Sequence, residues 1–229
     1  MKTKCRLIVL VVTLIGASLA HADLVLWDNG RPNQQGGNEA TQWVQTENFF
    51  AESFLVTHIE FWDLESSPGY LGSITWWITG DLNGNPDFNN ILGTGIAHPD
   101  RTQTQCGILG IYCEYDNVIR GLRLPISANG EYHLAIHNGP VSDDSRSDFY
   151  WETTDNNGGE TGRECDLTTG ACYSNWSDNG QEHAFVLYGF ITEGVPEPAS
   201  LLLLGTGLIA MRAKFGRGAE AKNKQSMVG

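Results

Sequence analysis

Ser73-Ile74-Thr75-Trp76-Trp77-Ile78-Thr79 carries a period of two, and that period decides the fold class. Successive side chains of a strand point to opposite faces. Ile74, Trp76 and Ile78 therefore share one face, and Trp77 stands on the other with Thr75 and Thr79. Tyr132-His133-Leu134-Ala135-Ile136-His137 repeats the pattern, with Tyr132, Leu134 and Ile136 expected inward and His133 and His137 outward as surface histidines.

Outward from these two stretches, no long helical period occurs between Asp23 and Gly194. Short aromatic and β-branched runs recur instead, separated by Gly, Asn, Asp and Pro, as in sandwiches and barrels. Strands are expected at 24–27, 40–46, 54–62, 73–79, 91–97, 118–124, 131–137, 147–152 and 184–191. That number of strands fits an all-β, jelly-roll-like two-sheet sandwich. Segments 100–116 and 153–180 read as loops, the second long enough to signal function or mobility.

The ends of the chain read as addresses. Lys2, Lys4 and Arg6 precede an apolar run from Leu7 to Ala17, and Ala20-His21-Ala22 supplies a small-x-small cleavage site. Residues 1–22 are thus a secretory signal peptide cut after Ala22, with Ala20 as the alternative. The exported domain spans 23–194. It holds six arginines and no lysine against twenty-five acidic residues, a charge of −19. Such a field repels nucleic acid and anionic lipid, and it suits a soluble exported protein or a collector of divalent cations.

Four cysteines remain after export, Cys106, Cys113, Cys165 and Cys172, in two pairs of identical spacing. In an oxidising compartment they read as two disulfides, with Cys106–Cys113 and Cys165–Cys172 favoured over the crossed pairings. A four-cysteine zinc site would want closer pairs.

The C-terminal region begins with Val195-Pro196-Glu197-Pro198. A thirteen-residue uncharged run from Ala199 to Met211 follows, including Leu201, Leu202, Leu203, Leu204, Leu208 and Ile209, and then come Arg212, Lys214 and Arg217. The prolines hold the approach extended and release a helix at Ala199, while cations behind an apolar helix mark a stop-transfer end. A spanning helix needs about 20 apolar residues. Snorkelling of Arg212 and Lys214 extends this one over 199–215, which reads as a transient or weak membrane stay. Residues 218–229 form a polar tail, and Thr192-Glu193-Gly194 a very short linker.

This constellation resembles the PEP-CTERM sorting signal, over 195–217, also catalogued as an ice-binding-protein C-terminal motif without implying anything about ice. The resemblance implies export in a Gram-negative bacterium and handling by a membrane protease-transpeptidase, the exosortase. It also implies an envelope or extracellular-matrix destination associated with exopolysaccharide and biofilm. Ala51-Glu52-Ser53-Phe54, Phe61-Trp62, Trp76-Trp77-Ile78, the Asp81–Pro86 stretch and Ala184–Gly189 more weakly resemble β-sandwich passenger domains found upstream of such signals.

Chemistry-bearing patterns are sparse. Asp81, Asn83, Asn85 and Asp87 place oxygens at alternate positions, as calcium loops do. The glycine stands fourth and no Glu follows at the twelfth position, so a hairpin turn is the plainer reading. His133 and His137 are about 13 Å apart along a strand, too far for one ion. No Gly-x-Ser-x-Gly, His-Glu-x-x-His or phosphate loop is present, and Asp148, Glu152 and Glu182 are only nominal candidates for a glycosidase-like pair. The expectation is a non-enzymatic protein without an obligatory cofactor. The alternative is a lectin-like module in which Trp151 and Trp176, expected near solvent, stack on sugars.

Overall fold

The computed structural model describes residues 23–66, 69–155, 162–169 and 172–191. The expected signal peptide, the sorting motif with the helix expected over 199–215, and the expected polar tail lie outside the described residues. Among the described residues no helix is long and apolar enough to cross a membrane.

The described residues are all-β, with two sheets whose named strands pair antiparallel. The first sheet is built on β4 (Phe54–Glu65). One edge of β4 pairs with β14 (Phe185–Ile191) and β11 (Phe149–Thr154), and its other edge with β9 (Leu124–Ile126) and β8 (Tyr112–Ile119). Outside these lie β1 (Leu24–Asp28), β2 (Pro32–Glu39) and β7 (Asp100–Ile108). The second sheet runs β13 (Ser177–Asp178), β12 (Arg163–Asp166), β3 (Trp43–Ala51), β10 (Gly130–Asn138), β5 (Ile74–Asp81) and β6 (Pro86–Ala97). The chain crosses repeatedly between sheets, so each strand's apolar face meets the other layer.

The core follows the period-two pattern. Ile74, Trp76 and Ile78 of β5 join Tyr132, Leu134 and Ile136 of β10, against Val56, Ile59 and Phe61 of β4, Phe149 and Trp151 of β11, and Phe185 and Leu187 of β14. Burying one such side chain contributes roughly 1.5–3 kcal/mol, so the inner face holds the layers together. Trp77 stands on the opposite face with Val44, Ala135 and Cys165.

Two expected loops contain strand, and one further strand is not among those expected. Segment 100–116 is largely strand: β7 and β8 form a hairpin in which Cys106 stands opposite Cys113. Within 153–180, β12 and β13 extend the second sheet. β2, with sequence PNQQGGNE, has no apolar alternation to announce it. It is an edge strand held by backbone pairing to β11, and a Cβ on Gly37 would come within 2.7 Å of the Trp151 carbonyl oxygen. The disulfides are Cys106–Cys113 and Cys165–Cys172, with Cα atoms 4.0 and 5.1 Å apart.

Candidate functional site

The outer face of the second sheet is covered around His133 and His137, which overturns the expectation of surface histidines. Asn83 and Gly84 both have positive φ, 57° and 77°. Leu82 and Asn85 flank them and exchange backbone hydrogen bonds, which makes a two-residue turn of the type that Asn-Gly favours. The turn folds back over the sheet until the Arg163 guanidinium of β12 donates to the Gly84 carbonyl at 3.0 Å. Beneath it His133 is 2 % exposed, and its Nε2 lies 3.0 Å from Asp81 Oδ1. Burial lowers the His133 pKa, although the Asp81 hydrogen bond opposes the shift. His137 is fully buried too, its Nε2 2.6 Å from the Thr41 carbonyl oxygen and its Nδ1 3.1 Å from that of Gly139.

As the hairpin reading expects, the oxygens of the alternative calcium loop serve this turn. Asp81 Oδ2 accepts from the Gly84 N–H, Asp87 Oδ1 from the Asn89 N–H, and the Asn85 amide donates to the Asn83 carbonyl. Asp81 also faces β10, where it meets Glu131 and His133, with ligand atoms from all three within 4.8 Å of one another. Sequence reading missed Glu131. The signal was its i, i+2 spacing to His133, overlooked in favour of the i, i+4 histidines.

Beyond the turn, the segment that follows Cys172 packs aromatic rings on the same face. Phe88 and Trp176 stack with centroids 5.5 Å apart, Phe88 and Tyr173 lie 4.6 Å apart, and Trp77 closes the group from the sheet. Trp176 is half-buried in this cluster. Trp151, expected near solvent, is fully buried. Its ring stacks on His183 at 4.6 Å and its Nε1 donates to the Ala184 carbonyl at 3.0 Å. An inward position on β11 opposite Asp63 of β4 dictates this, and it removes Trp151 as a sugar platform.

Carboxylates are buried around the end of β11. Glu47 and His183 are both fully buried, with Glu47 Oε2 3.1 Å from His183 Nδ1 and accepting the His183 N–H. Desolvation raises the Glu47 pKa and lowers that of His183, favouring the neutral pair. Glu152 is pushed up to about 8 by burial and by the neighbouring Glu114, and Glu182 to about 7 by burial and Glu47. Asp148, the remaining nominal acid, is taken by Ser66 Oγ and the Tyr150 hydroxyl. Asp63 is likewise raised, to about 7, by burial, although Arg101 opposes the shift: one guanidinium nitrogen reaches both carboxylate oxygens, at 2.9 and 3.1 Å, while the group lies against the Tyr70 and Tyr115 rings.

A polar cleft of about 300 Å³ opens beside these acids, lined by Asn33, Gln35, Thr153, Thr154, Gln181 and Glu182 among others. The buried Glu182 Oε1 has no hydrogen-bond partner.

The fold is thus a two-sheet antiparallel β-sandwich stapled by two short-range disulfides. Residues 194–217 match the family described as the PEP-CTERM protein-sorting motif, and the chain carries that motif shortly after its last described strand. Motifs of this family are recognised by exosortases and imply sorting to the cell envelope or surface of Gram-negative bacteria. No curated protein matches the chain.

Proposed function

We propose that the chain is a non-enzymatic exported protein whose sandwich is delivered to the envelope or extracellular matrix, in association with exopolysaccharide. The match over 194–217 carries this reading. Pro196 and Pro198 present Glu197 in an extended strip. Leu201–Leu204, Leu208 and Ile209 hold the strip in the bilayer, and Arg212, Lys214 and Arg217 stop transfer on the cytoplasmic side. Mass spectrometry of the mature C-terminus in a host carrying an exosortase tests it. The wild-type protein is expected to end within or before the motif in the outer fractions, and Glu197→Ala to keep its full tail at the inner membrane. An intact tail on wild-type protein in the outer fractions would overturn the reading.

The polar cleft supports a second reading, a carbohydrate-binding module. Amide, hydroxyl and carboxylate groups are the partners sugar hydroxyls use, although the rings of the Phe88–Trp176 cluster do not line the cleft. Glycan-array binding by the full chain, lost in Gln181→Ala, would favour it, and silence across the array would end it.

A further inference from the structure

We propose that Asp81, Glu131 and His133 form a site for a divalent transition-metal ion of the zinc class, clamping the β5–β6 turn to β10. The inference is independent of the sorting motif.

Glu131 and His133 are at i and i+2 on β10, so they share a face, and Asp81 ends the neighbouring strand one step beyond the Tyr132–Gly80 pair. Ligand atoms of the three residues lie within 4.8 Å of one another. A tetrahedral ion with ligands at about 2.0–2.1 Å separates two of them by about 3.3 Å. His133 Nε2 and Asp81 Oδ1 stand at 3.0 Å, so a few tenths of an ångström of opening admits the ion. The half-buried Glu131 carboxylate, held by the Asn48 amide at 2.6 Å, completes three protein ligands.

Charge and polarity agree. Two carboxylates around a buried neutral imidazole carry −2, which a dication cancels, and buried charge is tolerated when it is compensated. The His133 side chain is 3 % exposed, yet its Nδ1 has no hydrogen-bond partner. Thr79, opposite it in register, and Thr46, on the adjoining strand pair, also carry buried hydroxyls without partners. When Nε2 binds a cation the ring proton moves to Nδ1, and metal-bound histidines use an acceptor there. An imidazole among the donors favours zinc, nickel or copper over calcium and magnesium, which prefer all-oxygen shells.

The test uses the full chain with disulfides intact, stripped with chelator. Titration calorimetry with Zn²⁺ should find one saturable equivalent, and Co²⁺ should give the intense visible absorption of a tetrahedral centre. At about a hundredfold excess over Kd, Tm should rise by roughly 5–10 °C. Glu131→Gln, nearly isosteric and half-buried, should weaken binding roughly tenfold or more with an unchanged circular dichroism spectrum. It carries the test because His133→Gln at a buried position can unfold the protein. His58→Gln, at the separate His58–Asp23 pair, should leave affinity unchanged. Absence of saturable binding, unchanged affinity in Glu131→Gln, or tighter binding of Ca²⁺ than of Zn²⁺ would overturn the proposal.

Discussion

The Arg163 guanidinium reaches the carbonyl of Gly84, 79 positions earlier in the chain, at 3.0 Å, and so closes the Asn83-Gly84 turn over the outer face of the second sheet. Arg163 also pairs with Asp178 at 2.8 Å. One side chain thereby ties the β5–β6 hairpin to the far edge of the sheet, with β10 and β3 between. Arg163→Met keeps the aliphatic stem and removes the donors. It should cost about 1.5–3 kcal/mol, and hydrogen exchange at the amides of residues 82–85 should quicken before that of β10. Unchanged exchange there would deny the latch.

Trp151 is a core residue, and its substitution should read as loss of fold. Trp151→Ala should cost about 3–5 kcal/mol, visible as a lower melting midpoint. Trp151→Phe should cost less and leave the Ala184 carbonyl without its indole donor. A Trp151→Ala protein that melts like the wild type would contradict the burial.

The disulfides separate loop entropy from packing. Both bridge residues seven apart, so chain entropy assigns each about 2.5 kcal/mol. Cys165 is also buried against Val44, Trp77 and Ala135, whereas Cys106 is exposed. Replacing Cys165 and Cys172 by serine should therefore lower stability more than replacing Cys106 and Cys113. It should also shift tryptophan emission to the red as Trp176 loosens. Equal losses would mean that the aromatic cluster adds nothing to the loop.

The buried acids set a pH dependence. Glu152 and Glu182, raised to about 8 and about 7, bind protons in the folded state that the unfolded chain has released. Their contribution is complete below the ordinary carboxylate range and is lost as pH rises toward 7–8. His183, lowered to about 4 by burial, acts oppositely: its contribution is present above the ordinary histidine value and lost as pH falls toward 4. The melting temperature should thus be higher at pH 5.5 than at pH 8. Glu152→Gln, which retains an acceptor for the Gln34 N–H, should raise it at pH 8 and change it little at pH 4.5. Thermal melts across this range check the sign; a flat Glu152→Gln difference would show that the carboxyl is not protonated in the fold.

Local chemistry was enough to settle several features from the order of residues. Side-chain alternation placed Ile74, Trp76 and Ile78 in the core and Trp77 on the reverse, because a strand's period is a backbone property. Equal short cysteine spacings gave the disulfide pairing, and two prolines ahead of an apolar run with cations behind gave the sorting motif. What the tertiary structure alone decided is the fate of residues whose environment comes from distant segments. His133 and His137 alternate outward yet are buried, because His133 lies against Asp81 at the β5–β6 turn and His137 against the Thr41 and Gly139 carbonyls. Trp151 is buried because β11 lies in the middle of a sheet, and β2 is a strand only because the edge of β11 supplies its partners. Asp81, Glu131 and His133 meet because β5 and β10 pair in register. Neighbourhood across strands depends on pairing, and a linear pattern that shows which face a residue takes does not show what lies against that face.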